Sequence, residues 1–195
     1  MRHAMKPLLI LLTALSLTAC KEDAASPPPP VSLTAQAVGH YCQMDLLEHP
    51  GPKAQVHLAG LPDPLFFSQV RDAIAYQRMP EQSHAITAIY VNDMAAAPSW
   101  AHPGADNWID ATKAYFVVGS DATGGMDAPE LVPFLLARDA AAFASLRGGR
   151  VVTILEVADT DVLSAVPIAA TQADDPAEED DFQARLDRLA QERQN

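Results

Sequence analysis

The chain has 195 residues, and its 13 Lys and Arg against 25 Asp and Glu give a net charge of −12. A charge of that sign excludes nucleic acid and anionic lipid surfaces as electrostatic partners, and leaves cations or a basic protein surface. The length suits one compact domain or two small ones.

At the N-terminus, Arg2 and Lys6 precede an apolar run over residues 8–17. That run is too short to span a bilayer and has the layout of a secretory signal. It ends in LTAC, residues 17–20, which resembles the bacterial lipobox, whose cysteine is acylated and becomes the first residue of the mature protein. Residues 1–19 are read as a lipoprotein signal peptide and Cys20 as the lipidation site. Loss of Arg2 and Lys6 with the signal takes the charge from −12 to −14. The following KEDAASPPPP has no large apolar residue, and the prolines at 27–30 favour an extended, semi-rigid segment. Residues 20–36 are therefore read as a tether. Lys21 after the lipidated cysteine resembles an outer-membrane sorting pattern, so the expected location is the periplasm, lipid-anchored with the outer membrane favoured.

Two stretches in the middle of the chain resemble each other. RDAIAY at 71–76 recurs as RDAAAF at 138–143, each preceded by an apolar run (PLFFS, VPFLLA) and followed by a β-rich run (AITAIYV, RVVTILEV). A further apolar run lies upstream of each, AQVHLAG and KAYFVVG. The pattern predicts an α+β fold of two similar small ββαβ units packed together. The first covers 37–94, and 95–160 holds the rest of a long loop (NDMAAAPSWAHPGADNWID, from residue 92) and the second unit. In the first helix Ser68 is the expected cap, with Val70 and Ile74 on one face. In the second Asp139 is the expected N-cap, Phe143 and Leu146 face inward, and Gly148 stops the helix. Residues 161–195 read as an acidic, solvated tail with a short helix over 181–193.

With Cys20 carrying lipid, Cys42 is the remaining thiol, in a compartment where unpaired thiols oxidise. Burial alone explains many lone cysteines. Met44 adds a second sulfur: in an extended HYCQM segment it shares a face with Cys42. A thiolate beside a thioether selects Cu(I), whereas zinc asks for a Cys/His set that no second cysteine or H-x₃₋₅-H pair supplies. A third ligand must come from elsewhere. Met126, in a Gly124-Gly125 loop without an evident core role, fits best; Met94, His49, His40 and His102 are the weaker candidates. Met94 also reads as a packing contact with a tryptophan, and His57 and His84 as structural.

Taken together, C-Q-M-D-L-x-E-H-P-G-P-K-A-Q, then YVNDM, SW, WIDATKAYFVVGS, GGM, PF and F-A-x-L-x-G-G resemble the NosL family, accessory lipoproteins of nitrous oxide reductase maturation. The resemblance runs from Gly39 to Val157. It implies a Cu(I) chaperone of two ββαβ units that delivers copper for the reductase's cluster during denitrification. Cys42 and Met44 of the C-x-M motif would hold the metal, and the partners would be the apo-enzyme, a membrane transporter and a periplasmic assembly protein. The family commonly has glycine between the two sulfur residues, where Gln43 stands here, and glycine is expected where Asp127 follows Met126.

Two other readings compete. Cys42 flanked by His40 and His49 suggests Cys–His nucleophilic chemistry, but no oxyanion-hole motif or orienting group accompanies it. Nor is there a phosphate loop, dinucleotide fingerprint or metalloprotease motif, and no enzyme is expected. The alternative to copper delivery is a scaffold lipoprotein without metal that docks onto a membrane maturation complex, with Cys42 buried.

Overall fold

The computed structural model describes residues 26–166, together with Ala184, Arg185, Arg188 and Gln191, which are helical. The signal segment, Cys20 and most of the acidic tail lie outside the described residues.

The chain folds as the expected pair of ββαβ units. In the first, β1 (Ala54–Leu58) pairs antiparallel with β2 (Leu65–Phe67) and β3 (Ile86–Asn92), and α1 (Val70–Arg78) connects β2 to β3. A fourth strand, β4 (Trp108–Asp110), adds to β3 through the pairs Asn92–Trp108, Val91–Ile109 and Tyr90–Asp110. This corrects the expectation of loop to the end of that stretch: alternation over three residues is too short to register as a strand, and pairing with β3 creates it. In the second unit β5 (Tyr115–Val118) pairs antiparallel with β6 (Val132–Phe134) and β7 (Arg150–Thr153), with α2 (Ala137–Arg147) between them. The sheet orders are β2-β1-β3-β4 and β6-β5-β7, so the repeat extends to strand order. Pro133 lies in β6, an edge strand, where its missing N–H leaves no gap in the ladder. A further helix, α3 (Asp159–Leu163), packs on α1.

The units share their main core. Val56, Val70, Ile74 and Val91 from the first join Phe116, Leu131, Val152 and Ile154 from the second in a continuous buried cluster. Each unit alone is too small to bury enough apolar surface, which is why they fuse. Val162 of α3 enters the same cluster, and the Arg71 guanidinium donates to the Val162 carbonyl at 3.3 Å and to that of Ser164. The fold thus includes the first residues of the segment read as tail.

On the outer side of β1, Gln55 and His57 are buried as well, because the chain before residue 37 runs over them. The Gln55 amide pairs with both backbone groups of Val31 (2.8 and 2.9 Å), and Tyr90 donates to the Pro28 carbonyl at 2.7 Å. Leu33 and Ala37 then pack with Leu46. The later part of the segment read as tether is therefore a cover over the sheet.

The helix starts differ from expectation. Val70 and Ile74 are both fully buried, as their shared face requires. Ser68, however, does not cap α1; Gln69 is the N-cap, without a side-chain cap bond, and the N–H of Arg71 donates to Glu130 Oε1 at 3.0 Å. The start of α1 is buried under the second unit, so a carboxylate from that unit meets the orphan donor. Asp139 falls inside the first turn of α2, whose N-cap is Leu136. Gly148 ends that helix at φ +75, as expected. Phe143 packs on Phe134 at 5.3 Å between ring centroids, but Leu146, in the last turn, is 83% exposed.

Candidate metal centre

Residues 39–44 close on themselves. Val38 bridges Asp45, the Gly39 N–H donates to the Met44 carbonyl at 3.0 Å, and the Gln43 N–H donates to the Gly39 carbonyl at 2.9 Å. The segment is a turn, so the extended alternation expected for Cys42 and Met44 does not hold. What carries the two sulfur residues is a bend at Gln43, whose φ is +55. A non-glycine residue there costs roughly 1–2 kcal/mol. The Gln43 side chain offsets part of it by donating to the carbonyls of His40 (2.6 Å) and Gly39 (3.3 Å). A glycine, which the resemblance leads one to expect there, would adopt this backbone freely. Gly39 is constrained too: a Cβ there would overlap Cys42 Sγ.

The turn is fastened to the first unit by aromatic packing. The His40 ring lies 5.5 Å from both Phe67 and Tyr76, and Tyr41 meets Phe67 at 5.3 Å. Tyr41 donates its hydroxyl to Glu81, and burial together with that carboxylate pushes the phenol pKa up. Cys42 is a half-buried free thiol and Met44 is 43% exposed. A metal on these sulfurs would lie at the surface.

Met126 stands on a second tight loop. Thr123 bridges Pro129, the Gly124 N–H donates to the Ala128 carbonyl at 2.8 Å, and the Asp127 N–H donates to the Gly124 carbonyl at 3.1 Å. Asp127 has φ +59, again at the position where glycine was expected. Among the described residues Gln43 and Asp127 are the two non-glycines with positive φ. Both adjoin candidate sulfur ligands, and strained backbone of this kind clusters at functional sites.

The second loop is seated on the first unit. Gln69 Oε1 accepts from the Met126 N–H at 3.0 Å, and the His49 ring Nδ1 meets the Gly125 carbonyl at 2.9 Å. A carbonyl only accepts, so Nδ1 carries the proton. The ring Nε2 and Glu130 Oε2 are buried without a hydrogen-bond partner. Beneath lies Lys53, 1% exposed, whose ammonium donates to the carbonyls of Pro50 (3.1 Å) and Gly51 (2.6 Å). Burial pulls its pKa down to about 8, against the attraction of Glu130 and Cys42. Burial likewise pushes the Glu130 carboxyl up to about 8, against the Arg71 and Leu131 N–H groups that hold Oε1.

The other sequence candidates lie apart or play packing roles. Met94 packs in the second unit's core beside Trp100, with its N–H donating to the Pro133 carbonyl at 2.9 Å. His102 is exposed and lines a cavity of about 300 Å³ together with His49 and Lys53. His57 is buried against Gln55, which with burial fits its structural reading. Gln69, Lys53 and Glu130 escaped the sequence reading. A Lys or Glu flanking an apolar run normally marks a solvated end, and nothing local tells it from a buried one.

Among the described residues no group of three or more His, Cys, Asp or Glu is placed to hold a metal ion. A zinc-type or hard-cation set is therefore lacking there, and thiol and thioether sulfurs are what the two loops present. No described helix is long and apolar enough to cross a membrane.

Comparison with known proteins agrees with this architecture. A crystal structure of the copper chaperone NosL from Shewanella denitrificans superposes with a TM-score of 0.62 at 32% sequence identity, covering 68% of this chain and 99% of that one. The copper-binding lipoprotein NosL of Achromobacter cycloclastes is 51% identical over 187 residues, or 95% of each chain. That of Stutzerimonas stutzeri is 35% identical over 153 residues, covering 77% of this chain and 78% of its own. The family model for NosL matches residues 30–162. With the ββαβ pair and the motifs from Gly39 to Val157 in place, the chain belongs to the NosL family.

Proposed function

We propose that this protein is a periplasmic lipoprotein, anchored through Cys20, that binds Cu(I) and delivers it for assembly of the copper cluster of nitrous oxide reductase. The observation that carries the reading is the surface turn bearing Cys42 and Met44, in a chain whose relatives are named for copper binding and copper chaperoning. Cys42 would lose its thiol proton to solvent as the sulfur–copper bond forms, and the thiolate neutralises the cation. The Met44 thioether adds a soft, uncharged donor, and Met126 is the third, brought from the other unit.

Exposure suits release. An acceptor's ligand can reach a metal on half-exposed sulfurs and replace them one at a time, which a closed four-ligand site resists. The role needs binding and exchange, with no turnover chemistry. Partners are the apo-reductase and the membrane transporter and periplasmic protein that serve its assembly.

The test is an anaerobic Cu(I) titration of the soluble chain from Lys21 onward against a chromogenic chelator. One tight equivalent is expected, lost in Cys42→Ser and weakened in Met44→Leu. Uptake unchanged in Cys42→Ser would overturn the reading and favour a metal-free scaffold.

A further inference from the structure

Met126 belongs to the second unit by sequence, but its position is decided by the first. The loop's own hydrogen bonds, Gly124 to Ala128 and Asp127 to Gly124, shape the hairpin without placing it. Placement comes from contacts across the unit boundary. Gln69 is 2% exposed, its Nε2 donates to Asp72 Oδ2 at 3.2 Å, and its Oε1 is thereby aimed at the Met126 N–H, 3.0 Å away. The ends of the hairpin close on the same helix start: Glu130 N–H donates to the Ala122 carbonyl at 3.0 Å, while Glu130 Oε1 accepts from Arg71.

The fit at Gly125 is close on the other side. A Cβ added there would meet His49 Cβ at 2.6 Å and the carbonyl oxygens of Pro50 and Ser68 at 3.2 Å each. Only glycine lets the hairpin lie this near the segment that follows the Cys42 turn.

We infer that Gln69 is a positioning residue for copper: its side-chain carbonyl holds the backbone of Met126 on the first unit, so that the Met126 sulfur is delivered to the metal held by Cys42 and Met44. The inference rests on the copper-binding reading above, with Met126 as a ligand. Gln69 touches no metal. It sets the distance across which the third sulfur must reach.

Two variants break the seat from opposite sides: Gln69→Leu removes the acceptor, and Gly125→Ala wedges the loop away without touching Gln69. In the apo protein, hydrogen exchange by NMR should show the Met126 amide exchanging about tenfold faster in Gln69→Leu, with the α1 amides unchanged. Cu(I) affinity should fall roughly five- to tenfold in either variant, the worth of one hydrogen bond passed to one ligand. In a Met126→Leu background neither variant should lower it further. X-ray absorption of the loaded variants should count one sulfur fewer than wild type.

An equal fall in both backgrounds would make Gln69 a general stabiliser and overturn the inference, as would unchanged affinity in both seat variants. Should Gln69→Leu fail to fold, Gly125→Ala carries the same test. If Met126→Leu binds copper like wild type while Cys42→Ser does not, this inference falls and the copper site stands. If Cys42→Ser keeps its copper, the underlying reading has failed first.

Discussion

The two units run the same strands and helix in the same order, but their first connections differ in kind. In the first unit β1 reaches β2 through residues 59–64, a short turn with Gly60 at φ +78. In the second, residues 119–131 separate β5 from β6, and the added length is the hairpin that carries Met126 across to Gln69 and His49. The helices differ as well. Val70, Ala73, Ile74 and Tyr76 of α1 are buried between the units, whereas Ala140 is the fully buried residue of α2. One copy of the repeat supplies the scaffold, and the other has a longer connection that crosses to it.

The contrast breaks most directly at the helices. Ile74→Ala should cost about 2–5 kcal/mol, because it opens a cavity in the shared core, while Leu146→Ala should stay within about 0.5 kcal/mol. Urea denaturation followed by circular dichroism checks both. The loss in Ile74→Ala should shift one cooperative transition, since both units contribute to that core. Two separated transitions would show that the units fold independently.

A smaller effect sharpens the link between the units. Folding raises the Glu130 pKa from 4.5 to about 8, so the folded chain holds this proton more tightly than the unfolded one. Stability therefore falls as pH rises across that window, with a slope approaching about 1.4 kcal/mol per pH unit. Lys53, lowered from 10.5 to about 8, is protonated in both states below roughly pH 7 and adds no slope there; above that it adds an opposing one. Denaturation of wild type and Glu130→Gln between pH 5 and 8, in roughly half-unit steps, should show the decline in the first and its loss in the second. The same slope in both would assign it to other groups.

The smallest effects are expected at the two left-handed residues. Asp127→Gly should stabilise the apo protein by up to about 1 kcal/mol, since glycine adopts that backbone freely. Gln43→Gly should be nearly neutral, because the relief is offset by loss of the bonds to His40 and Gly39. Thermal melts of the two variants, read together, test whether the Cys42 turn depends on its own side chain and the Met126 hairpin does not.

Much of the fold was legible because its signals are local. The apolar runs, the RDA repeat and Gly148 mark strands, helices and a stop without reference to anything distant, and the C-x-M pair offers two soft sulfur donors by residue type alone. What was misread depended on hydrogen bonds and packing that residue type does not announce. Cys42 and Met44 looked extended because alternation is visible in a string, while the bend at Gln43 is held by bonds to preceding carbonyls. Ser68 looked like a cap because it stands in the right place, but the carboxylate serving α1 comes from Glu130, 59 residues away from Arg71. Leu146 looked inward because periodicity carries no information on where the covering layer ends.

The sequence by itself determined the order of elements within each ββαβ unit, the doubled architecture and the kind of donor at the candidate site, since hydrophobic period and side-chain chemistry belong to single residues and their near neighbours. Only the tertiary structure decided that the tether's end covers a sheet, that Lys53 and Glu130 are buried, and that Met126 is seated by Gln69. Those facts rest on burial and on hydrogen bonds across the unit boundary. Neither exists until the two units share their core.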